Sequence, residues 1–389
     1  MKFKRIFLMV LDGLGVGEAS DASNYGDTGS NTLGHIKEKY DLFIPNLKKI
    51  GFLDTLNMNE DKEVEAYYTI ASPINAGKDS LNGHYEMMGI KNNIPFKTFN
   101  KGFSPQLVSG IEQLTGRKVI GNKCSIDGLS IINELGERQQ NYGSLIVYTS
   151  ADSDLQIAAH EDCIPISTLY QYCERIRAVT LRDEWRVGRV IARPFNGKVG
   201  HYKLLNSARR DYAVKPPTKS ILDNLIDAKY NVIGIGKVND IFDGQGINKV
   251  IKANSNSEAI NKFIDIIDKK FTGLCIVNLA DFDGLYGHTR DVEGYGKAIE
   301  ELDVDIPIIL NKLETDDLLI ITADHGNDPT FDGNDHTREN VPVILYSRNF
   351  KEAKRLEPFN TLANIGATIA DNFEVNDMNI GMSILEELE

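Results

Sequence analysis

Three apolar runs in this chain end on residues that can hold a metal ion. "IFLMVLDG" closes on Asp12, "IVNLADFDGLYGH" carries Asp281, Asp283 and His288, and "LLIITADHGND" carries Asp324 and His325, with His336 following in "GNDH". Carboxylates with neutral imidazoles suit Mn²⁺ or Zn²⁺ better than Mg²⁺ or Ca²⁺, which favour all-oxygen shells. Asp12, Asp283, His288, Asp324, His325 and His336 make six ligands. That is too many for one catalytic ion with an open position, and about right for two. Two dications about 3.5–4 Å apart clamp the attacking and leaving oxygens of an in-line phosphoryl displacement. A single Asp after a strand is commonly a turn or cap residue; the repetition at three strand ends is what favours metal. Asp281 reads as orienting a ligand or supporting the metal ligands. Asp328, Asp332 and Asp335 read as solvated turn residues.

One hydroxyl stands apart, in "GKDSLNGH" over residues 77–84. A Ser in a Gly-flanked loop is ordinarily a turn or helix N-cap. Beside a metal ion it needs no histidine base, because the ion lowers its pKa, and Ser80 then becomes a candidate nucleophile. Lys78 and Asp79 either position this loop or touch phosphate. His84 and Tyr85 read as loop packing.

The positions of these residues depend on the elements that carry them. Apolar strands without alternation, separated by amphipathic helices, imply an α/β fold with a parallel sheet covered by helices on both faces. "RIFLMVL", "NVIGIG", "GLCIVNLA", "DLLIITA" and "VPVILYS" supply the strands. Ser220 and Ser257 are expected to cap helices, a long helix runs to Leu313 with a kink at Pro307, and "NTLANIGATIADNF" closes the chain. In such a sheet the carboxyl ends of the strands share one edge, where ligands bind. Between these runs the pattern changes. Residues 98–213 mix short strands ("SLIVYTS", "GRVIARPF") with a helix over Leu169 to Val179, which implies an α+β domain inserted into a core made of 1–97 and 214–389.

The composition permits this. A chain of 389 residues exceeds one ordinary core, and 41% hydrophobic with 25% charged residues is a globular composition. No apolar run approaches the roughly eighteen residues of a membrane span. The start mimics a signal peptide, but its apolar run is short and ends on Asp12, so a buried strand is expected. Four cysteines without CxxC spacing point to a reducing cytoplasm. A net charge of -13 argues against nucleic-acid partners. Yet residues 175–215 carry eleven Lys/Arg against three Asp/Glu, which suits a small anion or a solvated basic face.

The chain resembles the phosphopentomutases, a family of the alkaline phosphatase superfamily related to cofactor-independent phosphoglycerate mutases. The resemblance runs nearly end to end. It rests on "GEASDASNYGDTGSNTLGHI", "GNK" at Gly121, "GSLIVYTSADSDLQIAAHE", "VGRVIARPF", "DYAVKPP", "FDGLYGHTRD" and "TADHGNDPTFDGNDHTRE". It implies an alkaline-phosphatase-like core with an inserted cap domain. It also implies two Mn²⁺ ions, one held by Asp12, Asp324, His325 and the Ser80 hydroxyl, the other by Asp283, His288 and His336. The implied reaction moves phosphate between C1 and C5 of ribose or 2-deoxyribose through a phosphorylated Ser80 and a bisphosphate; a sugar bisphosphate such as glucose 1,6-bisphosphate is a candidate activator. Asp152 would contact the sugar, and Arg189, Arg193, Arg209 and Lys237 its phosphates.

The family pattern K-D-T-x-T-G-H-W becomes Lys78-Asp79-Ser80-Leu81-Asn82-Gly83-His84-Tyr85 here. Gly13 replaces a Ser, and Cys124-Ser125-Ile126-Asp127-Gly128 replaces an A-S-G-T-like run. These departures leave the metal chemistry intact and the sugar open. Rival functions are a phosphomutase of another sugar phosphate, a metal-dependent phosphomonoesterase, and a metal-holding protein without turnover. A mutase must keep water from its phosphoenzyme, which an inserted cap would do.

Overall fold

A computed structural model describes residues 1–58, 64–125, 127–150 and 152–389. The chain divides into two compact units, Met1–Pro95 with Pro216–Glu389, and Phe96–Lys215. Among the described residues the strands are β1 (Arg5–Leu11), β2 (Tyr67–Ala71), β3 (Val119–Cys124), β4 (Leu145–Thr149), β5 (Asp154–His160), β6 (Arg189–Asn196), β7 (Lys203–Leu204), β8 (Arg210–Ala213), β9 (Asn231–Ile235), β10 (Lys249–Ile251), β11 (Gly273–Leu279), β12 (Asp317–Thr322) and β13 (Val341–Tyr346).

The first unit is built on a seven-stranded sheet in the order β10-β9-β11-β1-β12-β13-β2. β1 lies in the middle, parallel to both β11 and β12. It is buried at every residue, as a run with no polar alternation must be. β11 and β12 are buried throughout for the same reason. The sheet is mixed rather than parallel: β13 runs antiparallel to β12, and β2 antiparallel to β13. No helix separates β12 from β13. Their connection over residues 323–340 turns straight back, so the strand it leads to must be antiparallel.

Helix Ile221–Asp227 begins at the expected Ser220, which shares a capping box with Asp223. Helix Asn256–Ile267 is capped by Ser255, not Ser257; the Ser255 side chain accepts from the Glu258 amide. Both serines precede the apolar face, and the backbone selects the one three residues before an unpaired N–H. Helix Val292–Lys312 continues through Pro307. No helix among the described residues is long and apolar enough to cross a membrane.

The second unit holds a six-stranded mixed sheet, β3-β4-β5-β6-β7 with β8 on β6. One face buries Leu155, Ile157, Val190 and Ala192 against Leu169, Cys173 and Ile176 of helix Ile166–Val179.

Candidate active site

β11, β1 and β12 pair in register up to Leu11, Leu279 and Thr322, so their ends lie side by side. Asp12 follows β1 directly. After β11 the chain enters a π-turn, Phe282–Gly287, in which His288 N–H bonds back to Asp283 O. That i+5 closure sets the side chains of Asp283 and His288 together, with His288 Nε2 3.2 Å from Asp283 Oδ2. After β12 come Asp324 and His325, and the returning segment brings His336, whose Nε2 is 3.2 Å from Asp283 Oδ1. His325 Nε2 is 3.3 Å from Asp12 Oδ1 and 3.7 Å from Asp324 Oδ2. The structure therefore gathers all six sequence-identified metal residues.

Ser80 joins them. It opens helix Ser80–Met87, with Asp79 as N-cap. Ser80 Oγ donates to Asp12 Oδ1 at 3.1 Å and lies 3.2 Å from His325 Nε2. Gly83 permits this approach: a Cβ there would fall 2.1 Å from the Asp324 carbonyl oxygen.

Among the described residues, two Asp/His groups have ligand atoms within 4.8 Å of one another: Asp283, His288 and His336, and Asp12, Asp283 and His325. Asp283 belongs to both, whereas the resemblance places Asp324 beside Asp12 and His325. The imidazoles are presented as metal ligands require. His288 Nδ1 donates to Asn334 O at 2.7 Å and His325 Nδ1 to Gly326 O at 3.0 Å, which turns each Nε2 toward the carboxylates. His336 Nε2 and Asp324 Oδ2 are buried without a hydrogen-bond partner. Three buried carboxylates and two orphaned ligand atoms converging on one cluster fit a divalent cation.

The electrostatics agree. Burial pushes Asp12 up, but the hydrogen bond and charge of His325 prevail over that and over Asp283, and its carboxyl comes down to about 2. Asp283 is also buried, and His288 and His336 hold it well below the carboxylate range. Burial disfavours the charged form of His325, yet Asp324 and Asp12 raise it well above an ordinary histidine. His336 is lowered by burial and by the neighbouring His325.

Several supporting residues carried no signal in the sequence. Asn278 donates to Asp12 Oδ2 at 2.9 Å, and Asn327 donates to Asp283 Oδ1 at 2.7 Å. Arg290 donates to Asn327 Oδ1 and, at 2.7 Å, to the Asp335 carbonyl. Neutral amides and an arginine look like ordinary loop residues until the fold places them. His84 is more than packing: its Nδ1 donates to Ser80 O at 2.9 Å and lies 3.1 Å from Asp324 Oδ2.

Asp328 is not solvated. It is fully buried and accepts from Asn31 N, with His35 Nδ1 2.6 Å away. Asp332 is exposed, and Asp335 is half-exposed and pairs with Lys78 at 3.2 Å. Asp281 accepts from Asn256 N at 2.7 Å and so anchors a helix start. Gly13 sits at φ 79°, where glycine is favoured, and its amide donates to Asp324 Oδ1 at 3.1 Å. Lys237 precedes the short helix Val238–Ile241 and is one of the charges that lower Asp12.

The other residues expected to touch sugar or phosphate lie in the second unit. Arg189 bonds Asp152 through Nη2, and its Nη1 is 3.9 Å from Asp211 Oδ2. Arg209 grips Asp211 at 2.7 and 2.8 Å. A Cβ on Gly128 would be 2.9 Å from Arg193 Nη2 and 2.7 Å from the Tyr148 hydroxyl. The basic segment is thus divided. Arg177 is a buried staple to the carbonyls of Thr180, Val187 and Gly188, and Arg182, Arg186 and Arg210 lie over aromatic rings. In the Cys124–Gly128 segment, Asp127 caps helix Gly128–Tyr142, accepting from Leu129 N and Ser130 N, both at 2.7 Å. Ile126, like Ala151 beside Asp152, lies outside the described residues.

The chain belongs to the metalloenzyme superfamily, whose sequence profile matches residues 4–377. Its fold is similar to that of the PH0037 protein of Pyrococcus horikoshii, at TM-score 0.49 and 13% identity over 96% of this chain and 98% of that one. It is similar to phosphoglycerate mutase of Leishmania mexicana, at TM-score 0.45 and 14% identity over 100% and 97%. A protein in the alkaline phosphatase superfamily from Vibrio parahaemolyticus gives TM-score 0.46 and 12% identity over 100% and 71%.

Proposed function

We propose that this metalloenzyme is a phosphopentomutase, an intramolecular phosphotransferase that interconverts ribose 1-phosphate or 2-deoxyribose 1-phosphate with the 5-phosphate. The observation that carries this reading is the Ser80 hydroxyl, 3.1 Å from Asp12 and 3.2 Å from His325 at the start of a helix. A hydroxyl so placed can serve as a nucleophile, and the surrounding Asp/His donor set of a metal site supports reading it as a phosphoryl acceptor. The pentose assignment rests on the sequence motifs "VGRVIARPF", "DYAVKPP" and "TSADS".

Asp12, Asp324, His325 and Ser80 would hold one Mn²⁺, and Asp283, His288 and His336 a second; Asp283 lies near enough to serve either. When bound, these ions would neutralise phosphoryl charge and lower the pKa of the serine hydroxyl. Phosphorylated Ser80 donates to the free sugar hydroxyl: the Oγ–P bond breaks, the sugar O–P bond forms, and the proton of the sugar hydroxyl passes to the freed Ser80 Oγ, to be returned to the sugar oxygen released in the second half. In the second half the other ester P–O bond breaks, Ser80 Oγ takes that phosphoryl group back, and the released sugar oxygen is protonated. The N-terminus of helix Ser80–Met87 favours the anion that Ser80 carries. Asp152, Arg189, Arg193, Arg209 and Lys237 are assigned to the sugar and to the phosphate that is not reacting.

The test is ³¹P NMR with Mn²⁺ and a trace of glucose 1,6-bisphosphate, offering ribose 5-phosphate and ribose 1-phosphate in turn. Interconversion without free phosphate is expected. Steady release of phosphate would make the protein a phosphomonoesterase, and no reaction with either pentose would redirect the search to another sugar phosphate.

A further inference from the structure

Residues 73–79 lead into the Ser80 helix, and every one of them is fixed from outside the segment. The carbonyls of Pro73, Asn75 and Gly77 accept from Arg338. The amides of Ile74 and Asn75 donate to Glu86. Ala76 N–H donates to Asn92 O, and Ala76 O accepts from the Tyr25 hydroxyl at 2.8 Å. Lys78 pairs with Asp27 at 2.9 Å and Asp335 at 3.2 Å, and Asp79 Oδ2 accepts from Asn82 at 2.6 Å.

Arg338 is the hub. Its five N–H donors are all used: Nε on Asp21 Oδ1 at 2.9 Å, Nη1 on Asn75 O at 2.8 Å and Gly77 O at 2.9 Å, Nη2 on Pro73 O at 2.9 Å and Asp21 Oδ2 at 3.0 Å. Three carbonyl dipoles aimed at one buried point repel one another unless a cation stands there. The planar fork of arginine can serve three directions and a carboxylate at once, which a lysine ammonium cannot. Its backbone lies two residues beyond His336, and its own amide donates to Asp27 Oδ2 at 2.8 Å. One residue therefore ties the chain that carries His336 to the chain that carries Ser80.

We propose that Arg338 is a positioning residue for the nucleophile: it fixes where Ser80 Oγ stands relative to Asp12 and His325, and itself exchanges no proton or phosphoryl group. The inference rests on the reading of Ser80 as nucleophile. A displacement of about 1 Å at a reacting atom costs about 100-fold in rate.

The test follows ³²P uptake from labelled glucose 1,6-bisphosphate by the Mn²⁺-loaded protein, with Arg338→Lys, Arg338→Ala and Ser80→Ala alongside the wild type. Arg338→Lys is expected to take up label about 10–100-fold more slowly at saturating donor. Its half-saturating donor concentration and metal content should not change. Arg338→Ala should be partly restored by guanidinium at a non-denaturing concentration. Hydrogen exchange, read with and without metal, should quicken over residues 73–80 in Arg338→Lys and stay unchanged over β1, β11 and β12. Wild-type uptake and exchange in Arg338→Lys would overturn the proposal, as would slow uptake accompanied by metal loss. Label in Ser80→Ala, or none in the wild type, would instead overturn the nucleophile reading and this inference with it.

Discussion

Asn82 Nδ2 donates to Asp79 Oδ2 at 2.6 Å, so this amide braces the N-cap of helix Ser80–Met87. Its Oδ1 accepts from Asn92 Nδ2 at 2.7 Å, and the side chain is fully buried. Both ends of the Asn82 amide are thus engaged within the protein. Asn82→Ala leaves a carboxylate oxygen and an amide without partners, at a cost of about 1–3 kcal/mol. Denaturant unfolding should register that loss, and the ratio of ribose to deoxyribose turnover should stay at its wild-type value.

Gly83 and Asp324 set a steric limit. An alanine methyl at 83 would stand 2.1 Å from the Asp324 carbonyl oxygen, a backbone atom that cannot swing aside. Gly83→Ala must separate helix Ser80–Met87 from the end of β12. The expected result is a fold weakened by about 1–3 kcal/mol and phosphoryl transfer about 100-fold slower. Thermal melts and single-turnover kinetics read the two effects, and an unaltered melting temperature would mean the helix can shift without cost.

The strands of the core and the convergence of the six Asp and His residues were legible because each depends on local chemistry. Runs such as Arg5–Leu11 state their burial, and an Asp or His at three strand ends states its company. The direction of β13 was not legible, since an apolar strand reads alike either way up. The burial of Asp328 was not legible either: its partners His35 and Asn31 lie almost 300 residues away. Asn327 and Arg290 were missed for the same reason, because an amide or arginine acquires a role only from the atoms the fold brings to it. Conversely, Gly13 and Asn82 looked like changes at the site; a left-handed backbone accounts for the first and side-chain hydrogen bonds to Asp79 and Asn92 for the second.

His336 supplies an orphaned imidazole nitrogen 3.2 Å from Asp283. His336→Ala should lower the divalent metal bound per chain, read by elemental analysis. Chelation should then lower the melting temperature of the wild type more than that of the variant. An ion present at about 100 times its dissociation constant adds about 2.7 kcal/mol to a fold that alone binds it. Equal metal content in the two proteins would remove His336 from the ligand set.

Glu339 gives a pH dependence. Burial pushes its carboxyl up from 4.5 to about 7, although Thr32 and Thr337 donate to it. A folded pKa above the unfolded one means that the folded state holds the proton more tightly. The contribution is full below pH 4.5 and is lost as pH rises to about 7, some 2.5 units or about 3 kcal/mol. Glu339→Gln has no such titration. The stability of the wild type relative to this variant should fall between pH 5 and 8 in urea titrations; a constant difference would show that the three threonine donor groups keep the carboxylate ionised at all these values.

The central strand of the first unit has partners far along the chain: Arg5 pairs in register with Gly273 and Asp317. On a ribosome adding about 5–20 residues each second, β1 therefore waits about 15–60 s for β12 to be synthesised. The second unit is contiguous, Phe96–Lys215, and all its strand partners emerge before Pro216. It can fold during synthesis while the first unit is still incomplete. Until then the six apolar residues Ile6–Leu11 of β1 are a nascent segment without the neighbours that bury them in the finished sheet.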